Sequence, residues 1–368
     1  MSPQVASTKP PTTAPPSPET PLAEPGRANP MMTVLERYGL LVVLVILIIG
    51  FTIALPGEFF TSTNLKITLE GQAVILILAM AETIPLRAGD FDLSVAAVMV
   101  ASASLIAVLT TQDHMAVIPA VILAVIGAAA FGAVNAFVIV GLGVDAFIAT
   151  LGSMTWLGGL TAAFTGGNVL SSLPSSLTSF SNGTWLGISH DVFYGWGLVL
   201  ILWYVYEWTP FGRRLLFTGG NRDASRLTGI HVKRIRSSAF ILSSVIAALA
   251  GVVLAGSVGA VDPGSAGAYL LQPFAAAFLG TTVIQFGRFN AWGTVIGLYL
   301  LAAGVSGLQL LGASSWVSDV FNGVTLVLAV IFATTMRQGA LAGRLRIGRR
   351  RLAEEAPAAP EQAASPPG

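Results

Sequence analysis

The chain has no cysteine, and only three of its 368 residues are histidine. The absence of cysteine excludes a disulfide framework and any thiolate metal site. His114, His190 and His231 lie far apart in sequence, so a histidine metal cluster is not expected either. Charge is also scarce, with 10% charged residues against roughly 25% in a soluble domain. The lysines are Lys9, Lys66 and Lys233. None follows a G-x-x-x-x-G-K-[ST] pattern, which excludes a phosphate-loop ATP site in this chain. There is no H-E-x-x-H, no nucleophile elbow in a strand–turn–helix setting and no nucleophile–base pair, so no enzyme is expected. Nucleic acid is not an expected partner, because the basic residues follow one side of a layered pattern rather than an aromatic face.

What remains is apolar. Hydrophobic residues make up 54% of the chain, and the mean hydropathy is +0.76. Apolar runs of near-spanning length recur, which predicts an all-α, polytopic transmembrane helix bundle in the lipid bilayer. The predicted spans are 38–56, 66–86, 93–111, 116–140, 146–164, 192–209, 237–258, 269–286, 291–311 and 317–336, about ten helices at roughly twenty residues per crossing. Forty glycines suit helices that pack backbone to backbone. The first apolar run, Leu40–Pro56, is longer than a signal-peptide core and reads as an uncleaved first helix. Residues 1–33 and 341–368 read as cytoplasmic tails: the first is disordered, the second basic and then rich in Ala and Pro. A single transmembrane domain fills 34–340.

The charges orient the bundle. With the amino terminus inside, eighteen of the nineteen Lys and Arg residues fall on inner segments, and only Lys66 falls outward. This positive-inside pattern puts both termini in the cytoplasm. One re-entrant hairpin in place of two crossings would escape the test. The longest outer segment, 165–191, is polar and turn-rich, with Phe180 and Trp185 as interface-type aromatics. It reads either as a plain connection or as a platform for an external partner.

Three segments carry candidate chemistry. The first is Ala81–Ser94, AETIPLRAGDFDLS, where Glu82, Arg87, Asp90 and Asp92 close an apolar helix. Ions at that depth are costly, so they pair or face water. One reading is a turn in which Arg87 neutralises Asp90 or Asp92; the other is a polar seam along a transport path. Asp92 or Ser94 also suits a cap on the following helix.

The second segment is the basic inner loop 211–238. Gly219-Gly220-Asn221 signals a turn. Asp223-Ala224-Ser225-Arg226-Leu227 reads as a short helix with an acidic start, and Gly229 stops it. A short amphipathic helix between two spans is suited to a cleft on a soluble subunit. Topology alone would explain the arginines but not this turn–helix–stop arrangement. The third segment holds Asn135 on a long apolar helix, followed by Thr150 and Ser153. Such groups bond across helices or meet a solute hydroxyl.

Several stretches resemble the permease subunits of bacterial monosaccharide ABC importers of the ribose/xylose/galactose type, within the branched-chain amino acid permease superfamily. They are GDFDLSVAAVMV at 89–100, VNAFVIVGLGVDAFIATLGSM at 134–154, GGNRDASRLTGIHVKRIRSSAF at 219–240, AALAGVVLAG at 247–256 and FLGTTVIQFGRFNAWGTVIG at 278–297. Ala96-Ala97 departs from the usual Gly-Ser, and Ser225 from an alanine. The resemblance implies a permease in the bacterial cytoplasmic membrane with no cofactor of its own. It implies ATP and magnesium on separate cytoplasmic ATP-binding subunits, an extracytoplasmic sugar-binding protein above, and a second permease, a homodimer being preferred to a pair with a similar chain. It places the coupling helix at 219–229, with Gly219, Gly220, Asn221, Asp223, Ala224, Ser225, Arg226, Leu227 and Gly229 as the contact with the ATPase. Glu82, Asp92, Asn135 and Thr150 are the candidates for the substrate pathway. The competing expectation is a proton-coupled secondary transporter using Glu82, Asp90 or Asp92.

Overall fold

The computed structural model describes residues 30–331. Residues 1–29 and 332–368, which take in nearly all of the two expected tails and the end of the last span, lie outside the described residues. The described chain is a helical bundle with two minimal antiparallel strand pairs, one of them a hairpin. Its helices are α1 (Pro30–Ala54), α2 (Ser62–Gly71), α3 (Ala73–Arg87), α4 (Val95–Thr111), α5 (Val117–Ala136) and α6 (Ala146–Thr165). Then follow α7 (Ser175–Asn182), α8 (His190–Trp208), α9 (Pro210–Gly220), α10 (Arg222–Leu227), α11 (Val232–Val258), α12 (Leu271–Gly280) and α13 (Ala291–Leu310). A last apolar helix, α14, covers Trp316–Ile331.

Local chemistry sets the helix ends. The Asp145 carboxylate accepts from the amides of Phe147 and Ile148 at 3.0 and 3.2 Å and starts α6, as an N-cap should. Gly166 (φ 67°) ends α6 and Gly259 (φ 69°) ends α11, both in the left-handed conformation that glycine adopts without strain. A π-helical turn at Phe137–Gly141 extends α5.

Helix α11 is the axis of the packing and lies against α3, α4 and α5. Contact there is backbone to backbone: a Cβ on Gly251 would stand 2.4 Å from the Met99 carbonyl, and one on Gly132 would stand 2.8 Å from that of Phe240. Missing side chains are what let helices approach this closely where lipid supplies no hydrophobic drive. Among the described residues, Val117–Gly141, Ala146–Thr165, Val232–Val258 and Ala291–Leu310 are each long and apolar enough to cross a membrane, and the bent pair α2–α3 is a fifth candidate. This is a multi-pass membrane protein.

Two predicted spans take a different form. The run 66–86 is broken at Gln72, where α2 and α3 meet at 43°. The polar stretch Glu70-Gly71-Gln72 interrupts the apolar pattern, and the Gln272 amide donates to the Gln72 side-chain oxygen across the break at 2.9 Å. The run 269–286 is helical only at Leu271–Gly280. Ten residues rise about 15 Å, half of a hydrocarbon core of roughly 30 Å, so α12 is not a full crossing. The Asn290 amide ends it by donating to the Gly280 and Val283 carbonyls at 2.9 and 3.3 Å. Its oxygen accepts from Gly293 N at 2.7 Å and starts α13.

The connections gather at two ends. At one end, Arg87 reaches the Phe289 carbonyl, Gln285 reaches Glu207, and Arg222 reaches Gly89. At the other, Leu170–Ser171 pairs with Ala260–Val261. There too Thr184–Trp185 pairs with Ile188–Ser189 through the two-residue turn Leu186-Gly187, both at positive φ. The rings of Phe180 and Trp185 lie against Tyr194 and Phe193 at the start of α8, at 4.7 and 5.0 Å.

Candidate functional site

Helix α10 is a six-residue element built to stand apart from the bundle. Gly219 and Gly220, read from sequence as part of a turn, are instead the last two residues of α9. The chain breaks at Asn221, which is extended (φ −159°) and accepts from Asp223 N and Ala224 N, both at 3.0 Å. Its short amide thus caps two of the free donors of the first turn. Asp223 pairs with Arg226 at 3.3 Å, well out in solvent, where such a pair adds little stability. At the far end the Gly229 amide bonds Arg226 O and the Ile230 amide bonds Ser225 O, each at 3.0 Å, with Gly229 at φ 82°. That is a Schellman stop. Ser225 is buried beneath the helix, and Leu227 stands 91% exposed at its tip.

The α3–α4 turn lies directly beneath. It ends α3 in the same way: the Gly89 amide bonds Leu86 O and the Asp90 amide bonds Pro85 O, both at 3.0 Å, with Gly89 at φ 81°. A Cβ on Gly219 would stand 2.3 Å from the Arg87 carbonyl. The end of α9 therefore rests on the end of α3 with no room for a side chain.

Asp90 does not pair with Arg87, contrary to the local reading of the sequence. Gly89 reverses the chain and sends the two side chains apart. Arg87 donates to the Phe289 carbonyl at 2.6 Å, lies 4.5 Å over the Tyr206 ring and is 4.0 Å from Glu207. Asp90 is gripped by two arginines of the basic loop. Arg236 of α11 donates through Nε to Oδ2 and through Nη2 to Oδ1, both at 2.7 Å. Arg222, the first residue of α10, donates to Oδ1 at 2.8 Å and to the Gly89 carbonyl at 2.9 Å.

The next residues face the bundle. The Phe91 ring stacks on Phe278 and Phe274 of α12 at 6.0 and 6.4 Å and meets Phe147 of α6 edge-on at 6.5 Å. Asp92 accepts from Ser94 N and Oγ at 3.1 and 2.5 Å and from Ser243 Oγ of α11 at 2.9 Å. Asp92 thus fixes Ser94, the residue before α4, and neither side chain makes the expected cap on the first-turn amides of that helix. Asn135 of α5 donates to Ser94 Oγ at 2.9 Å and accepts from Ser153 Oγ of α6 at 2.6 Å. Thr150 Oγ1 accepts from Leu93 N at 3.1 Å and donates to Ala146 O at 2.8 Å.

Asp92 and Asn135 therefore share one buried polar cluster that ties the start of α4 to α5, α6 and α11, and Thr150 is buried beside it, bonded to the backbone of Leu93 and Ala146. Any contact of these groups with a solute requires the cluster to open. Glu82 sits apart, fully buried, in the field of Asp92. Neither of its oxygens has a hydrogen-bond partner among the described residues. The sequence reading missed Arg222, Arg236 and Ser243. The available signal was an excess of acids at 90–92 over the single nearby Arg87.

Comparison with known proteins places this geometry. The family described as "Branched-chain amino acid transport system / permease component" matches residues 67–330. The ribose import permease protein of Bacillus subtilis (strain 168) is 33% identical over 300 residues, 81% of this chain and 92% of that protein. The ribose import permease protein of Escherichia coli (strain K12) is 32% identical over 301 residues, 81% and 93% of the two chains. The L-arabinose ABC transporter permease protein of Azospirillum brasilense is 26% identical over 317 residues, 86% and 93%. No solved structure matches the chain significantly. A family match across most of the chain, joined to relatives aligned over nearly their whole length, makes this protein a member of that permease family.

Proposed function

We propose that this chain is the transmembrane permease subunit of an ABC-type sugar importer in the bacterial cytoplasmic membrane. It forms the substrate path and takes its drive from separate ATP-binding subunits. The observation that carries the reading is α10: capped at Asn221, stopped at Gly229 and exposing Leu227. It projects from the end where the arginines gather, in a chain without a phosphate loop. Beside it runs a shallow, open groove lined by apolar as well as basic residues, among them Arg226, Ile230, Val232, Lys233 and Arg234. A helix tip flanked by a groove is a surface shape that a soluble partner can engage.

Several further assignments rest on this reading. The arginine-rich end faces the cytoplasm, as positive-inside placement requires. The opposite end, with α7 and the Thr184–Ser189 hairpin, faces an extracytoplasmic sugar-binding protein. A second permease, preferably another copy of this chain, completes the pore. ATP and magnesium are held by the partner subunits. The relatives are named for ribose and L-arabinose, which supports a neutral monosaccharide, for which hydroxyl-bonding groups and apolar walls suffice. Transport is by alternating access: closure of the ATPase pair moves the two coupling helices, and the pore passes from inward-open to outward-open. Each ligand biases only the states it contacts differently.

The missing cysteines make the test clean. L227C introduces a single thiol at the tip of α10. In the assembled complex, a thiol-reactive probe there is expected to cross-link to the ATP-binding subunit. Labelling of that thiol by a membrane-impermeant reagent from outside intact cells would refute the assignment.

A further inference from the structure

We propose that Asp90 is a positioning residue for energy coupling, its carboxylate fastening the coupling helix to the α3–α4 turn so that the two move as one body. This inference rests on the coupling role of α10 given above and names the route by which movement leaves it.

The carboxylate is buried, with 3% of its side chain exposed, and it receives three hydrogen bonds from two guanidinium groups. One of these belongs to α10 and the other to α11. A bidentate charge-assisted pair fixes direction as well as distance. The Arg222 contact is doubled by its bond to the Gly89 carbonyl. The Gly219 backbone adds a second fastening, because it lies against Arg87 and Gly89 with no side chain between.

From the turn the path divides at Phe91, Asp92 and Ser94. Phe91 leads to α12 and α6 through its ring contacts. Asp92 leads to α11 through Ser243. Ser94 leads to α5 and, through Asn135 and Ser153, to α6. A displacement of α10 thus arrives at four helices through residues 90–94, without passing through α11 alone. A purely structural role would need only Arg236, whose side chain is 13% exposed. Arg222 is 39% exposed, so the bundle does not depend on it for charge burial, and its reach to Asp90 links α10 specifically.

Two variants in the complete complex test this. R222Q removes the α10 contact and keeps the Asp90–Arg236 pair. It is expected to assemble with the ATP-binding subunits and keep its thermal stability, yet lose most of the stimulation of ATP hydrolysis by the sugar-loaded binding protein. In D90C/R222C, the only thiols in the permease stand at the two ends of the fastening. The untreated variant is expected to be uncoupled, and a short bifunctional thiol reagent is expected to restore stimulation and sugar uptake severalfold. If R222Q couples like the parent, or if bridging the two thiols leaves stimulation where it was, the proposal is overturned. A separate result, failure of L227C to cross-link to the ATPase, would sink the coupling reading itself and is distinguishable from both.

Discussion

Asp90 and Arg236, 146 positions apart, meet in two parallel hydrogen bonds of 2.7 Å, the fork of one guanidinium on both oxygens of one carboxylate. Arg222 closes the third side at 2.8 Å. Two positive charges are thereby held at one end of the bundle by one buried negative charge.

Removing that carboxylate leaves both guanidinium groups without their partner. D90A is expected to cost roughly 3 kcal/mol of stability, at the low end for breaking a buried pair. R222Q is expected to cost under about 1 kcal/mol, because its partly exposed side chain is solvated in either state. Denaturant melts of the detergent-solubilised protein measure both. Equal losses would show that Arg222, not Arg236, dominates the burial of Asp90.

Adjacent glycines at the end of α9 are expected to respond oppositely. A Cβ at Gly219 meets the Arg87 carbonyl at 2.3 Å, while one at Gly220 meets nothing within 4 Å. G219A forces backbone apart and is expected to destabilise by about 1–3 kcal/mol. G220A is expected to be neutral or to stabilise by up to about 1 kcal/mol, the helix preference of alanine over glycine. The same sign for both would contradict the close approach of α9 to α3.

The cap on α10 offers a graded probe. N221A removes the acceptor for two amides and is expected to weaken the cap by about 1 kcal/mol, whereas N221D or N221S keeps it. Amide exchange over 222–227 reads the change directly. Faster exchange in N221A with restored protection in N221D is the expected pattern; unchanged exchange in N221A would mean that the partner contacts, not the cap, order the helix.

Glu82 separates an ATP-driven importer from a proton-coupled one. Its oxygens are enclosed without a partner among the described residues, a costly arrangement for a charge. E82Q keeps the shape and removes the titration. It is expected to retain ATP-driven uptake and to be at least as stable as the parent in a thermal melt. Abolished uptake with an intact complex would restore the proton-carrier reading.

The helices were legible because their apolar runs are long and uninterrupted. The stop of α10 was legible because Gly229 is a local signal whose geometry follows from its own backbone preference, whereas Asn221 was read only as part of a turn and is in fact the cap between two helices. The break at Gln72 was less so: Glu70-Gly71-Gln72 is short, and only the Gln272 amide, 200 positions on, shows why the chain bends there. α12 resembled a crossing because 269–286 is mostly apolar, with only Gln272, Thr281, Thr282 and Gln285 interrupting it, yet Asn290 takes the carbonyls on which the helix would have continued. The partners of Asp90 were illegible for a related reason. Arg87 lies three residues away and appeared sufficient, whereas the positive φ of Gly89 turns the two apart. Long-range pairing of this kind depends on which helix ends share a side of the bundle, and charge composition alone does not specify it.

As an ABC permease this chain conducts sugar but has no drive of its own. Uptake of a panel of radiolabelled monosaccharides into proteoliposomes holding the purified permease, with and without its ATP-binding subunits, binding protein and ATP, decides the matter. Accumulation is expected only when all are present, and none under a pH gradient with the permease alone. Accumulation by the isolated chain under that gradient would contradict that reading.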